Sequence, residues 1–169
     1  VTVVSAMKGV TGALMALADA ATERGNWLSH WSALHERHRT AARELLGDKA
    51  GETLEWLDTQ FKELHGVLGA LALLGPAGAS AKERVHGLGE VWSARLLAGA
   101  LVASGADAVA LDARQVLVVG RNDLGVAVDW DTSAAKLKQW RAQHPQKHVV
   151  VTGFVASDAQ DVPTTLGRN

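Results

Sequence analysis

An α/β fold built on a mostly parallel sheet is predicted by three features of this sequence. Val149-Val150-Val151 is a continuous β-branched run of the kind carried by a strand covered on both faces. Val1-Thr-Val-Val4, followed by Ala6-Met-Lys-Gly9 and an amphipathic stretch, reads as strand, glycine turn and helix, the opening of a βα unit. The order of elements along the chain is strand, several helices, two strands, helix and strand, which is an α/β order. No internal repeat or low-complexity tract breaks it.

The first helix is expected from about Val10 to Arg24, with Val10, Ala13, Leu14, Leu17, Ala18 and Ala21 on one face and Gly25 as its stop. A second runs from about Leu28 to Leu46, with Trp31, Leu34, His38, Ala42 and Leu45 on one side. Gly47-Asp48 punctuates, and Asp48 is the candidate N-cap of the third helix. That helix carries Leu54, Leu57, Phe61, Leu64, Leu68 and Leu71, a narrow three-four seam that asks for a helical partner. The two helices form an antiparallel hairpin over about 28–74, an insertion on the sheet domain.

Gly75-Pro-Ala-Gly-Ala79 reads as a loop, and Ser80-x-x-Glu83 as a capping box. Gly87 and Gly89 then interrupt a helical segment that ends at Ser104-Gly105. Each costs a helix about 1 kcal/mol relative to alanine, which close approach of a ligand or another part of the chain would justify. Ala108–Leu111 is a buried strand, Gln115–Val119 an extended piece and Gly120–Gly125 a turn-rich connection. Asp131 or Thr132 caps a short helix that offers Ala135, Leu137 and Trp140 for burial and stops at Pro145. Lys147–Thr152 is the last strand of the sheet. It turns at Gly153-Phe154 and returns through Thr164-Thr165-Leu166 to Gly167-Arg168-Asn169.

Composition restricts the function. A chain of 169 residues, 47% hydrophobic and 21% charged, is one ordinary globular domain with a sizeable core. A net charge of -1 supplies no concentrated positive field, so neither nucleic acid nor a polybasic membrane contact is expected. The absence of cysteine excludes disulfides, thiolate metal sites and a cysteine nucleophile, and fits a cytoplasmic protein. The longest apolar runs, such as Val67–Gly75, fall well short of the roughly 20 residues a membrane helix needs. His35-Glu-Arg-His38 lacks the i,i+4 spacing of a zinc helix. The tryptophans read as packing residues, with Trp92 bracing the helix behind Glu90.

Three places combine a strand end or glycine break with polar groups: Ser5 to Thr11, Gly87 to Glu90, and Gly153 to Arg168. Taken singly, each has a plainer reading as a cap or a solvated side chain. Jointly they are complementary. Arg168 offers a planar fork for a carboxylate, Glu90 an acceptor for an ammonium group, and Ser5 and Thr11 hydroxyl donors for a second carboxylate. That set suits a small acidic amino acid.

The same strings resemble the aspartokinases of the amino-acid kinase family, above all the aspartokinase domain of bifunctional aspartokinase/homoserine dehydrogenases. The resemblance is carried by Val3-Val-Ser-Ala-Met-Lys-Gly-Val-Thr11, by Gly87-Leu-Gly-Glu-Val-Trp-Ser-Ala-Arg95, and by Val151-Thr-Gly-Phe-Val-Ala-Ser157 with Thr164-Thr-Leu-Gly-Arg-Asn169. It implies a carbamate-kinase-like three-layer αβα fold, truncated at both ends, with the helical hairpin as a long insertion. The whole of 1–169 is then a partial aspartokinase catalytic domain. The resemblance further implies transfer of the ATP γ-phosphoryl group, with Mg, to the β-carboxylate of L-aspartate, the first step toward lysine, threonine and methionine. Ser5 and Thr11 fall where the family contacts aspartate, Glu90 where it holds the α-ammonium group, Arg168 where it holds a carboxylate, and Phe154 beside the pocket. Lys8 replaces a small residue common at this turn.

Two family features are missing. The Lys-Phe-Gly-Gly-Ser/Thr motif, whose lysine stabilises the transferring phosphoryl group, does not occur, and neither does Gly-Ser-Asp after Gly-Arg-Asn. Phosphoryl transfer depends on positioning and charge stabilisation. The expectation is therefore a substrate-binding fragment with no catalytic residue of its own, inactive alone and without tight ATP or Mg binding. A non-catalytic reading makes the hairpin a homodimerisation module. Another amino-acid kinase, acting on glutamate or acetylglutamate, is disfavoured by the Gly-Glu-Val-Trp-Ser-Ala-Arg and Thr-Thr-Leu-Gly-Arg-Asn strings.

Overall fold

The computed structural model describes residues 1–75, 79–122 and 125–166. The chain divides into two compact units, one formed by Val1–Ser5 with Ser93–Asn169 and the other by Ala6–Trp92. It passes between them at Ser5–Ala6 and again within one helix.

The sheet unit is organised on β5 (His148–Thr152), the central strand of a three-stranded parallel sheet. β1 (Thr2–Val4) lies on one side of it, with Val3 opposite Val151, and β2 (Ala108–Leu111) on the other, with Ala110 opposite Val150. Alternate β5 residues face opposite ways, so both faces need cover. Val150 packs on Ala94 and Ala98, whose i,i+4 spacing and small size let a helix lie close to the strand. On the other face Val149 packs with Leu111, Val116 and Trp140. Helices thus cover both faces, as the β-branched run predicts.

The parts that follow β2 depart from expectation in three ways. Gln115 sits in a 3-10 turn, Ala113–Gln115, capped by Asp112, and the extended chain begins only near Val118. Most of 120–125 is not a loop: β3 (Val119–Asn122) and β4 (Gly125–Val128) pair antiparallel, because Val119 and Val128 register across the pair. The last helix is capped by Asp129, whose carboxylate accepts from the Thr132 amide at 3.0 Å and the Thr132 hydroxyl at 2.7 Å. Asp131 and Thr132 already lie inside that helix, whereas a cap has extended backbone angles and immediately precedes the first helical residue, as Asp129 does. Of its apolar residues only Trp140 is buried, while Ala135 and Leu137 are exposed and Ser133 takes the inner position. Finally, β6 (Val155–Ser157) and β7 (Pro163–Thr165) form a second hairpin, closed by Asp158 accepting from the Gln160 and Val162 amides.

The second unit is helical. α1 (Val10–Thr22), α2 (Leu28–Leu46), α3 (Gly51–Leu74) and α4 (Ala79–His86) pack together, and the first turn of α5 (Leu88–Ala103) joins them. α1 buries the predicted stripe except Ala13, which is half-buried. The α3 seam is buried inside this unit, against α1 and α2, with Thr53 rather than Leu54 at its start. On α2 the last buried leucine is Leu46, and Leu45 faces out. Asp48 does not cap α3; it lies in a 3-10 turn, Gly47–Lys49, and α3 starts from Ala50 without a side-chain cap. The predicted Gly75–Ala79 loop includes Pro76, Ala77 and Gly78, which lie outside the described residues, as do the side chains of the expected Ser80/Glu83 capping box. No helix among the described residues is long and apolar enough to cross a membrane.

The centre of this unit is aromatic. Phe61 stacks on His35 at 4.6 Å and on Trp92 at 4.4 Å between ring centres, and Trp92 meets His38 edge-to-face at 4.7 Å. His38 is fully buried, its Nδ1 donating to the Leu34 carbonyl at 2.7 Å while Nε2 has no partner. Burial holds its pKa below the ordinary histidine value, reinforced by the nearby charges of Arg37 and His35 against the opposing Leu34 hydrogen bond. Between the depressed value and the ordinary one, near 6.5, the unfolded chain binds more protons than the folded one. Stability is therefore expected to fall as the pH drops below about 6.5, and His38→Phe should flatten that fall. Urea denaturation across this range checks it; an unchanged pH slope in the variant would count against a neutral buried His38.

Candidate functional site around Glu90

Both halves of the predicted site begin at a turn that follows a strand. In the helical unit the turn is Ala6–Gly9. Gly9 adopts φ +80 and caps α1 without a side-chain hydrogen bond, and the Val10 amide closes on the Met7 carbonyl at 3.0 Å. A left-handed residue at this point is cheap only for glycine. The Lys8 carbonyl accepts from Arg37 of α2 at 2.8 Å, which ties the turn to the hairpin, while the Lys8 side chain is exposed. Thr11, half-buried, is the second residue of α1, where backbone N–H groups lack intrahelical acceptors and favour an anion.

The first turn of α5 presses against this turn at Gly89. A Cβ there would lie 2.7 Å from the Ala6 Cβ and 2.9 Å from the Val10 Cγ1. Close approach is thus the reason for glycine in the helix, as the sequence predicts for one of its two glycines. The next residue is Glu90, which is 4% exposed. The backbone amides of Ala6 and of Glu90 itself lie near enough to favour its charged form, and Oε2 has no hydrogen-bond partner. Burial raises its pKa above the usual carboxylate value, and those two amides only partly oppose the rise. A buried carboxylate with one oxygen unsatisfied is costly in isolation and is relieved by a cation.

In the sheet unit the corresponding place is the end of β1 and β5. Val4 pairs with Thr152, so Ser5 and Gly153 emerge at the same, C-terminal, end of neighbouring parallel strands. Ligands of open α/β sheets bind at that end. Gly153 donates to the Val4 carbonyl at 2.8 Å, and a Cβ on it would come within 3.2 Å of the same oxygen. Phe154 takes φ 64, and its carbonyl accepts from Leu166 at 2.9 Å. Its ring lines a largely apolar cavity of about 620 Å³ with Val3, Trp140, Val151 and Leu166. Ser5 is exposed.

Of the predicted site residues, Thr11 and Glu90 fall in the helical unit, at the Ala6–Thr11 turn and the α5 turn packed on it. Ser5 and Phe154 fall in the sheet unit, and Arg168 lies outside the described residues. Sequence reasoning missed the Ala6 backbone as the neighbour of Glu90, because a backbone group leaves no mark on residue identity. It also missed the polar character of the aromatic cluster behind Trp92; the only signal was His38 sitting on the apolar face of α2.

No protein-family model matches the sequence. Over 170 residues, 99% of this chain and 19% of the other, it is 39% identical to the chloroplastic bifunctional aspartokinase/homoserine dehydrogenase 1 of Arabidopsis thaliana. Its fold superposes with a TM-score of 0.84 on Escherichia coli aspartokinase III in complex with lysine and aspartate, at 23% identity over 99% of this chain and 37% of that one. Its curated homologues are bifunctional aspartokinase/homoserine dehydrogenases, and it has the amino-acid kinase fold of the solved aspartokinases. A second aspartokinase III structure, in complex with aspartate and ADP, matches with a TM-score of 0.78 at 22% identity, covering 99% and 37% of the two chains. The chain spans about a fifth of the length of the curated relatives it matches, so the aspartokinase homology concerns one part of a larger architecture in those proteins.

The raised affinity of Glu90 for a proton has a measurable consequence. Between the ordinary carboxylate value and the raised one, the folded chain binds more protons than the unfolded one, so Glu90 lowers stability as the pH rises through that window. Glu90→Gln is expected to raise the urea midpoint at about pH 7 and to change it less at about pH 4. A variant less stable at neutral pH would show that the amide contacts of the carboxylate outweigh its burial.

Proposed function

We propose that this chain is the aspartate-binding part of an aspartokinase. The whole protein would transfer the γ-phosphoryl group of ATP to the β-carboxylate of L-aspartate, in the synthesis of lysine, threonine and methionine. The observation that carries this reading is Glu90: a carboxylate 4% exposed, set beside the backbone amide of Ala6 and unpartnered at Oε2. Such a group is a receptor for an ammonium ion, and its desolvated setting strengthens the attraction. Thr11, at the start of α1, donates to a carboxylate of the same substrate. Ser5, Phe154 and Arg168 are assigned to aspartate by their place in the strings that resemble the family. That two solved structures of Escherichia coli aspartokinase III hold aspartate supports the choice of amino acid.

The Lys-Phe-Gly-Gly string, whose lysine would stabilise the transferring phosphoryl group, does not occur in the sequence. Nucleotide and magnesium belong, on this reading, to other parts of the whole protein, and this chain orients the acceptor.

Glu90→Ala in the whole protein is expected to raise the KM for aspartate by roughly 10- to 100-fold, the loss from removing one charged partner, and to leave the KM for ATP within about twofold. Steady-state kinetics with each substrate varied decides this; equal effects on both would remove Glu90 from the aspartate site. Calorimetric titration of the chain alone with MgATP is expected to show no saturable binding in the micromolar range. Micromolar affinity would place the phosphate cradle within this chain.

A further inference from the structure

The first turn of α5 is held from two sides within the helical unit. Gly89 rests on Ala6 and Val10, and Trp92, three residues on, turns into the aromatic centre of the unit. The indole is 0% exposed, stacked on Phe61 of α3 at an interplanar angle of 26° and met edge-to-face by His38 of α2 at 76°. Glu90 lies between these two holds in the chain, two residues before Trp92. Simple packing does not account for the choice of residues. Trp92 Nε1 and His38 Nε2 are both buried without a partner, a cost that leucine would avoid. What the flat indole adds is rotational definition, because a stacked plane resists rotation of the helix that carries it, whereas an aliphatic side chain tolerates it.

We propose that Trp92 is a positioning residue for Glu90, stacked on the α2–α3 pair so that the carboxylate is presented at a fixed place beside the Ala6 amide. The helical pair, which brings no chemistry of its own, thereby sets how well the chain binds an ammonium group. This rests on the reading of Glu90 as the aspartate-binding carboxylate.

The test uses the full chain and three variants. Trp92→Leu removes the stacked plane and Trp92→Phe keeps one. Leu71→Ala opens a cavity on the same α3 seam, ten residues or about 15 Å along the helix from Phe61. Two quantities are read: L-aspartate affinity by calorimetry, and the ionisation midpoint of the Glu90 carboxyl by carbon-13 NMR, assigned with Glu90→Gln. Trp92→Leu is expected to weaken aspartate binding by roughly tenfold or more and to bring the Glu90 midpoint down toward the ordinary carboxylate value as water reaches it. Trp92→Phe should keep both close to wild type, and Leu71→Ala should lower thermal stability while moving neither. The proposal is overturned if Trp92→Leu leaves both unchanged, or if Leu71→Ala moves them equally. A Glu90 midpoint that responds to Trp92 in a chain that binds no aspartate would uphold the positioning and reject the substrate.

Discussion

The close contact of the first turn of α5 with the Ala6–Val10 turn is the constraint on which the rest of the helical unit depends. It exists because residue 89 has no side chain; a methyl group there would meet Ala6 at 2.7 Å. With the turns that close, the next residue's carboxylate is buried beside the Ala6 backbone, and its readiness for a cation follows. Gly9, with φ +80, performs the matching task on the other partner by folding the turn tightly enough to start α1 beneath it. A cost in helix propensity at one position thus produces an electrostatic property at the next.

The sheet unit obeys a different rule. Its centre is a strand covered on both faces, and the pairing of β1 and β5 in parallel sends Ser5 and Gly153 out at one end. The apolar cavity beside Phe154 offers little to a charged amino acid, and Ser5, the polar candidate of this unit among the described residues, sits instead at a strand end. Parallel sheets concentrate their turns at the two ends of the strands, so binding groups gather there irrespective of which side chains fill the faces.

Much of this was legible in the sequence. The stripes of α1, α2 and α3 are periodic enough that their helices and inward faces follow from the pattern, and Val149-Val150-Val151 announces a doubly covered strand. The strings around Ser5, Glu90 and Phe154 marked the turns on which the candidate residues lie. Capping was read less well. Asp129, Asp131 and Thr132 are all acceptable cap residues within four positions, and the choice depends on which one has extended backbone angles. Gly120 and Gly125 suggest a turn-rich connection, whereas the antiparallel pairing of β3 with β4, with Val119 opposite Val128, is set by contacts across the two strands.

By itself, the sequence determined the class of fold, the helical faces and the kinship with the aspartokinases, because these depend on local periodicity and on the identity of short strings. Only the tertiary structure decided which polar groups go inside. Periodicity places His38 and Leu34 on one face without saying that the histidine is fully buried, and Glu90 stands in a helix start where most glutamates meet water. Burial is a property of what packs on a residue from distant parts of the chain. For Glu90 that is the Ala6 turn, 84 positions earlier, brought close by a glycine whose reason is visible only once Ala6 and Val10 are seen against it.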